Sequence, residues 1–320
     1  MPFASSGRFA LARPAMSSFT LGTRGSPLAL AQARMTATAL EEAHGWARGT
    51  VSIVTVRTSG DRIQDRPLAE VGGKALWTKE LDLALLAGET DCSVHSMKDV
   101  ESDRPAALRI AAMLPRADVR DRLIGAGTLA DLPRGAIVGT SSPRRAAQVR
   151  RIRPDLHTVS IRGNVATRLA KRDAGEVDAT LLAAAGLDRL GRGEVGSPIA
   201  IDVMLPAPAQ GAIGIECRSN DDRALGLLKA IDHPDTSAAI AAERAFTRAL
   251  GGTCHSPIAA LALVDDGAIL FHGQLFSDDG ADQVAQVVRF AVGDLDSPAA
   301  LAKAMLARAP DSIRRLFNGT

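Results

Sequence analysis

The chain has 320 residues, enough for two or three domains and enough to bury about three quarters of its unfolded surface, so no cofactor is needed merely to fold it. Hydrophobic residues make up 46% and charged residues 23%, with 29 Gly and 16 Pro, which excludes collagen-like, coiled-coil and wholly disordered classes. A net charge of +2 from 38 basic and 36 acidic residues excludes a global polycation for nucleic acid; because 32 of the basic residues are Arg and none of the 320 residues is Tyr, only arginine placement, not arginine frequency, carries information.

In chain order, residues 1–17 carry Arg8 and Arg13, no acid and no sustained apolar run. They read as a disordered leader, or a start displaced to Met16, rather than an export signal. Phe19–Thr23 reads as a strand, Pro27–His44 as an amphipathic helix stopped at Gly45, and Val51–Val56 as the next strand. A Gly-rich loop at Val71–Lys74 precedes a helix through Leu86. Between residues 114 and 135 the pattern breaks at Pro115, Gly125, Gly127 and Pro133, as a crossover between domains would. A second alternation follows: strand Ala136–Gly139, helix Pro143–Arg151, strand Thr158–Ile161, helix Val165–Arg172, strand Ala179–Ala183. Pro206–Gln210 reads as a linker into the apolar strand Ala212–Glu216. From Asp235 come a helix, a Gly-rich turn, two alternating strands (Ile258–Val264 and Ala268–Phe276) and a C-terminal helix.

Strands alternating with helices argue for an α/β fold with parallel-rich sheets, followed by a smaller α+β domain. The expected division is 18–114 with 212–230, then 118–207, then 234–320. Cys92, Cys217 and Cys254 are odd in number and widely spaced, so neither a disulfide framework nor a zinc site is suggested, and a reducing cytoplasm fits. No 18-residue apolar run predicts a membrane span. Gly72-Gly73-Lys74 lacks the first Gly and the Ser or Thr of a phosphate loop, and Gly191-Arg192-Gly193-Glu194-Val195-Gly196 follows a helix-like stretch instead of a strand.

Three strand ends run into a helix in one way: Thr23-Arg24-Gly25-Ser26-Pro27, Gly139-Thr140-Ser141-Ser142-Pro143-Arg144-Arg145, and Arg162-Gly163-Asn164-Val165. Each offers a capping Ser or Asn, and two place Pro at the first helical position. Helix starts present free N–H groups to an anion, and each site adds Arg forks suited to carboxylates. Together they predict a cleft for a ligand carrying several carboxylates or phosphates. Asp91–Asp99, a short apolar run ending in Lys98-Asp99, can hold an acid/base carboxylate beside a cation; such pairs on loops are also commonly just solvated. In Leu250-Gly251-Gly252-Thr253-Cys254-His255 the cysteine is either a buried small hydrophobe or, on a glycine turn, a reactive thiol.

Taken together, Arg24-Gly25-Ser26-Pro27-Leu28-Ala29-Leu30, Val71–Lys74, His95-Ser96-Met97-Lys98-Asp99, Gly139–Ser142, Arg162-Gly163-Asn164 with Thr167-Arg168-Leu169, Gly186-Leu187 with Arg189-Leu190, Gln210-Gly211-Ala212 and Ala242-Glu243-Arg244-Ala245 resemble the porphobilinogen deaminase (hydroxymethylbilane synthase) family from about Leu21 onward. The resemblance implies two hinged lobes like a periplasmic-binding-protein pair, a smaller third domain, and a dipyrromethane joined by a thioether to Cys254. It implies a cytoplasmic, monomeric transferase of tetrapyrrole biosynthesis. The enzyme would condense four molecules of the small-molecule substrate porphobilinogen with loss of ammonia and release hydroxymethylbilane, with no metal, nucleic acid or membrane involved. By the same resemblance Asp99 faces the pyrrole nitrogens, and Arg24, Ser26, Lys74, Lys98, Thr140, Ser141, Ser142, Arg144, Arg145, Arg162, Arg168 and Arg189 bind acetate and propionate groups. The sequence departs from the family at Thr253, where Gly is usual, at Glu70, where Lys is common, and at Trp77, where Phe is common.

Overall fold

A computed structural model describes residues 18–57, 78–252 and 256–317. The leader, the Val71–Lys74 loop with Glu70 and Trp77, and the Thr253-Cys254-His255 segment lie outside the described residues.

The first stretch is β1 (Phe19–Arg24), α1 (Pro27–His44), β2 (Val51–Val56), α2 (Lys79–Leu86), β3 (Cys92–Ser96), a 3₁₀ turn at Met97–Asp99, and β4 (Leu108–Met113). Helix α1 starts where capping chemistry places it: the Ser26 hydroxyl accepts from the Ala29 N–H, Pro27 takes the first turn, and Gly45 closes the far end in the left-handed conformation. It buries Ala33, Ala37 and Leu40 in the core of the first sheet.

The chain then crosses to β5 (Asp121–Ile124), β6 (Ile137–Gly139), α3 (Pro143–Ile152), β7 (His157–Val159), α4 (Val165–Asp173), β8 (Ala179–Ala183), α5 (Ala184–Arg189) and the two-residue β9 (Ser197–Pro198). It returns as β10 (Ile213–Arg218) and α6 (Asp222–Leu228), and ends with α7 (Pro234–Ala249), β11 (Ile258–Asp265), β12 (Ala268–Phe276), β13 (Gln283–Ala291), α8 (Asp296–Arg308) and α9 (Asp311–Arg314).

Two five-stranded sheets share one plan. The first has the order β2-β1-β3-β10-β4 and the second β7-β6-β8-β5-β9. In each, three neighbours run parallel and the fourth strand is antiparallel. Because β1 lies between β2 and β3, and β6 between β7 and β8, the chain leaves in opposite directions at these points. That opens a crevice beyond the carboxyl ends of the parallel strands, where α/β proteins bind ligands. The third sheet, β11-β12-β13, is antiparallel and packs on α7 and α8 around Phe246, Phe271 and Met305. The α/β fold with parallel-rich sheets and a small α+β unit is thus present, each sheet with its own core.

Two expectations change. The broken pattern at 114–135 contains β5, a four-residue strand opened by a charged residue, Asp121, so it shows too little periodicity to be seen in sequence. The last unit has three strands, not two: β13 keeps only Phe290 buried, so no regular alternation of apolar and polar residues marks it in the sequence.

The two crossings between the lobes lie side by side. Ala117 N–H donates to the Gly211 carbonyl (3.3 Å), Arg116 Nε to the Gln210 carbonyl (2.9 Å) and Gln210 Nε2 to the Val119 carbonyl (2.7 Å). The third unit clamps them: Glu243 of α7 accepts from Arg116 (2.7 and 3.1 Å), from Ala209 N–H (2.5 Å) and from Ala262 N–H (2.7 Å). Its β12–β13 turn docks on α3, where Arg150 and Arg151 donate to the Asp278 and Ala281 carbonyls. Gly280 lies there at φ +73°, and a Cβ at that position would collide with the Ala147 carbonyl of α3.

Candidate active site

The first lobe brings two strand ends to the cleft. Arg24 at the end of β1, Ser26 just after it, Ser96 at the end of β3 and Asp99 in the turn that follows line one pocket, with Gln32, Thr78 and His95. Asp99 is the sole acidic residue among the described residues lining it. Gln32 of α1 hydrogen-bonds Ser96 Oγ (2.8 Å), a contact with no signal in the sequence because 64 residues separate the pair. The Asp99 carboxylate makes no hydrogen bond to another described residue. Lys98 beside it is half-buried, and burial pushes its ammonium down to about 8 against the opposing pull of Asp99.

The second lobe supplies the cations. The expected caps form: Ser142 accepts from Arg145 N–H and Asn164 from Thr167 N–H. Gly163 sits at φ +110°, and a Cβ there would run into the Thr167 side chain, so the turn requires glycine. Thr140 is buried and accepts from Ser142 N–H (3.2 Å), while Ser141 donates to the Ile161 carbonyl (2.5 Å), joining the β6 and β7 turns.

Arg144 and Arg145 differ from the expectation of open forks. They are only 3% and 6% exposed, and each gives one Nη to the buried Asp121 carboxylate (2.8 and 2.7 Å) and the other to a main-chain carbonyl, Leu205 and Leu181 respectively. Burial raises the Asp121 carboxyl, but the two guanidinium groups overcome this and hold it well below the usual carboxylate range. Gln210 of the returning crossing also donates to Asp121 (2.8 Å). Arg168 donates through Nε to the Gly163 carbonyl (3.0 Å); burial lowers it to about 10, and Arg145 and Arg162 add to the fall while Asp99 opposes it. Arg189 holds the Gly211 carbonyl (2.6 Å) and is likewise lowered to about 10 by burial.

The two lobes therefore act on one another electrostatically. Lys98 feels Arg145, Arg144 and Asp121, and Arg168 feels Asp99. Five cations (Lys98, Arg144, Arg145, Arg162, Arg168) face two carboxylates, Asp99 and Asp121. Among the described residues five buried guanidinium N–H groups, Nε of Arg122, Arg144, Arg145 and Arg189 and Nη1 of Arg162, have no partner. Buried unpaired donors are costly, and a polyanion in the cleft would satisfy both the charge and the donors. Lys74 and Cys254 lie outside the described residues, whereas Cys92 and Cys217 are buried in the first core, with burial pushing Cys92 well up and Cys217 to about 11.

Behind Asp99 is a buried ion network that no spacing in the sequence announces. Arg104 donates to Asp82 (2.5 Å), to Glu216 through two nitrogens (2.9 and 2.8 Å) and to Glu101 (3.1 Å). Glu216 lies 3.2 Å from His95 Nε2; burial raises it, yet His95 and Arg104 hold it down at about 2.

Fold and site together define a two-lobed α/β protein with a cation-rich cleft, whose first-lobe pocket holds one carboxylate among the described residues. The profile "Porphobilinogen deaminase, dipyromethane cofactor binding domain" matches residues 19–226, and "Porphobilinogen deaminase, C-terminal domain" matches residues 237–309. The "Porphobilinogen deaminase" of Sphingopyxis alaskensis is 59% identical over 303 residues, covering 93% of this chain and 96% of that protein. That of Nitrobacter winogradskyi is 53% identical over 266 residues (82% and 84%). The "Porphobilinogen deaminase, chloroplastic" of Oryza sativa subsp. japonica is 50% identical over 276 residues (84% and 77%). The chain belongs to the porphobilinogen deaminase family, an enzyme family, and it carries the domain that binds the dipyrromethane cofactor.

Proposed function

We propose that this chain condenses four porphobilinogen molecules head to tail onto its dipyrromethane with loss of ammonia and then releases hydroxymethylbilane by hydrolysis, water supplying the hydroxyl as the bond to the cofactor breaks, with Asp99 as the acting carboxylate and Cys254 as the attachment point of the cofactor. When bound, the dipyrromethane supplies the primer to which new rings are joined. The cleft fits that group: its unpartnered guanidinium donors and surplus cations match a ligand bearing four carboxylates.

Arg24, Ser26, Lys74 and Lys98 on the first lobe, and Thr140, Ser141, Ser142, Arg162, Arg168 and Arg189 on the second, hold acetate and propionate groups. Arg144 and Arg145 contribute through their remaining Nε groups while anchoring on Asp121. These fixed charges orient the reacting carbons, making each addition effectively intramolecular. As the C–N bond of the aminomethyl group breaks and ammonia leaves, positive charge spreads over the pyrrole. A carboxylate held against the pyrrole N–H stabilises it without reorganising. When the new C–C bond forms, the ring carbon loses a proton, and Asp99 is placed to receive it.

The observation that carries this reading is Asp99 as the sole acid among the described residues of a pocket otherwise lined by neutral and basic side chains, with its charge felt by Arg168 of the second lobe across the cleft. Among the described residues no helix is long and apolar enough to cross a membrane. Asp99→Asn in folded, cofactor-loaded enzyme should lower turnover by about 10²–10⁴, the range for a positioned acid/base group, and Asp99→Glu should retain more. Turnover of Asp99→Asn near wild type would remove Asp99 from the mechanism.

A further inference from the structure

The Asp99 carboxylate lacks a hydrogen-bond partner among the described residues, so its aim is set by its backbone. That backbone is unusual. After the 3₁₀ turn closes with Val100 N–H on the Met97 carbonyl (3.2 Å), the carbonyls of Val100, Glu101 and Ser102 belong to no helix or strand, and buried main-chain acceptors need partners. They find them on a single side chain from the third unit. Arg244 of α7 donates through Nη1 to the Val100 carbonyl (3.2 Å) and through Nη2 to those of Glu101 (2.6 Å) and Ser102 (3.2 Å). Arg248, one helical turn on, donates to the Ser102 carbonyl (2.7 Å) and pairs with Asp103 (2.7 Å). All of Arg244's hydrogen bonds among the described residues go to these carbonyls. None of these bonds goes to a carboxylate, so its hydrogen-bonding capacity serves a loop. On the other side of the segment Arg104 ties the chain to the sheet through Glu216 of β10 and to α2 through Asp82. The preceding residue on α7, Glu243, grips the interlobe crossings, so neighbouring residues of one helix hold the hinge and the catalytic loop.

We propose that Arg244 is a positioning residue for Asp99: by gathering three consecutive carbonyls it fixes the backbone that directs the carboxylate into the cleft. This rests on Asp99 being the acting carboxylate. Arg244 touches no reacting atom. Its loss leaves the substrate-holding cations in place and lets the carboxylate wander, and a displacement on the order of 1 Å costs about 10²-fold in rate.

The test uses cofactor-loaded Arg244→Met, which keeps the apolar stem, and Arg244→Lys, which can still reach a carbonyl and keeps the fold should Met not. The expected result for Met is a fall in kcat of roughly 10- to 100-fold with KM for porphobilinogen within about threefold of wild type, and a smaller fall for Lys. Amides of residues 99–104 should exchange hydrogen at least about tenfold faster in either variant, independently of activity. In the Asp99→Asn background Arg244→Met should lower kcat no further, because both changes act through one group. A slow Asp99→Asn enzyme beside Arg244 variants of normal kcat and unchanged exchange would overturn the positioning role alone, as would additive losses in the double variant. Normal turnover of Asp99→Asn would overturn the reading of Asp99 itself.

Discussion

Replacing Asp121 with Asn isolates the residue that joins both crossings to the second lobe. Its carboxylate is 1% exposed and accepts from Arg144, Arg145 and Gln210. Asparagine keeps the size but removes the charge, and one end of its amide becomes a donor facing guanidinium donors. Breaking a buried pair from one side costs about 3–5 kcal/mol, because the partner charge is stranded. Here two guanidinium groups are stranded, although each retains one carbonyl, so the same range is expected and not its double. At about 2–4 °C per kcal/mol for a protein of this size class, the melting temperature should fall by roughly 6–20 °C. The sign of the pH dependence follows from the depressed carboxyl. The stabilisation is fully present above the unfolded value near 4 and is lost as pH falls below it, so wild type and variant should converge in acid. Thermal melts of both proteins between pH 3 and 7, followed by circular dichroism, measure this. A gap below about 1 kcal/mol at neutral pH, or one that widens in acid, would show that Asp121 does not hold the arginines.

Intact mass of the purified protein should exceed the sequence mass by one dipyrromethane, and Cys254→Ser should abolish the excess; an adduct mapped to the buried Cys92 or Cys217 would reject the assignment. Lys98, charged only below about 8, should impose a fall in kcat/KM for porphobilinogen as pH rises past that value, and Lys98→Arg should carry this limb upward. An unmoved limb in Lys98→Arg would assign it to another group. Gly280→Ala puts a side chain at φ +73° against the Ala147 carbonyl and should cost about 1–3 kcal/mol, read as a lower melting temperature; an unchanged melt would mean that the third unit does not depend on that contact.

What the sequence revealed was local. Ser26 and Pro27 start α1 and Gly45 stops it, and these signals act within a turn, so the helix is found at Pro27–His44 as expected. The same holds for the caps at Ser142 and Asn164. What stayed hidden was long-range. Arg104 meets Glu216 across 112 positions, Arg116 meets Glu243 across 127, and Arg244 meets Val100 across 144, and no periodicity reports such pairs. Arg144 and Arg145 show the limit most clearly. Their place at a helix start is legible, but that their forks are occupied depends on Asp121, in a strand too short to be recognised.

The strand order β2-β1-β3-β10-β4 also dictates a sequence of events during synthesis. β4 has no neighbour in its sheet except β10, and β10 ends at Arg218, about a hundred residues after β4. The second sheet, by contrast, is drawn wholly from residues 121–198. As the chain leaves the ribosome, the lobe translated second is therefore the first whose strands are all present. The earlier lobe waits as an open β2-β1-β3 ribbon, its β3 edge unpaired, until the returning strand arrives. Such an edge is a template for wrong partners, and closing so long a loop is slow. A pause in translation before residue 213 would prolong that exposure, whereas one just after the exit of Arg218 would give the first lobe time to close.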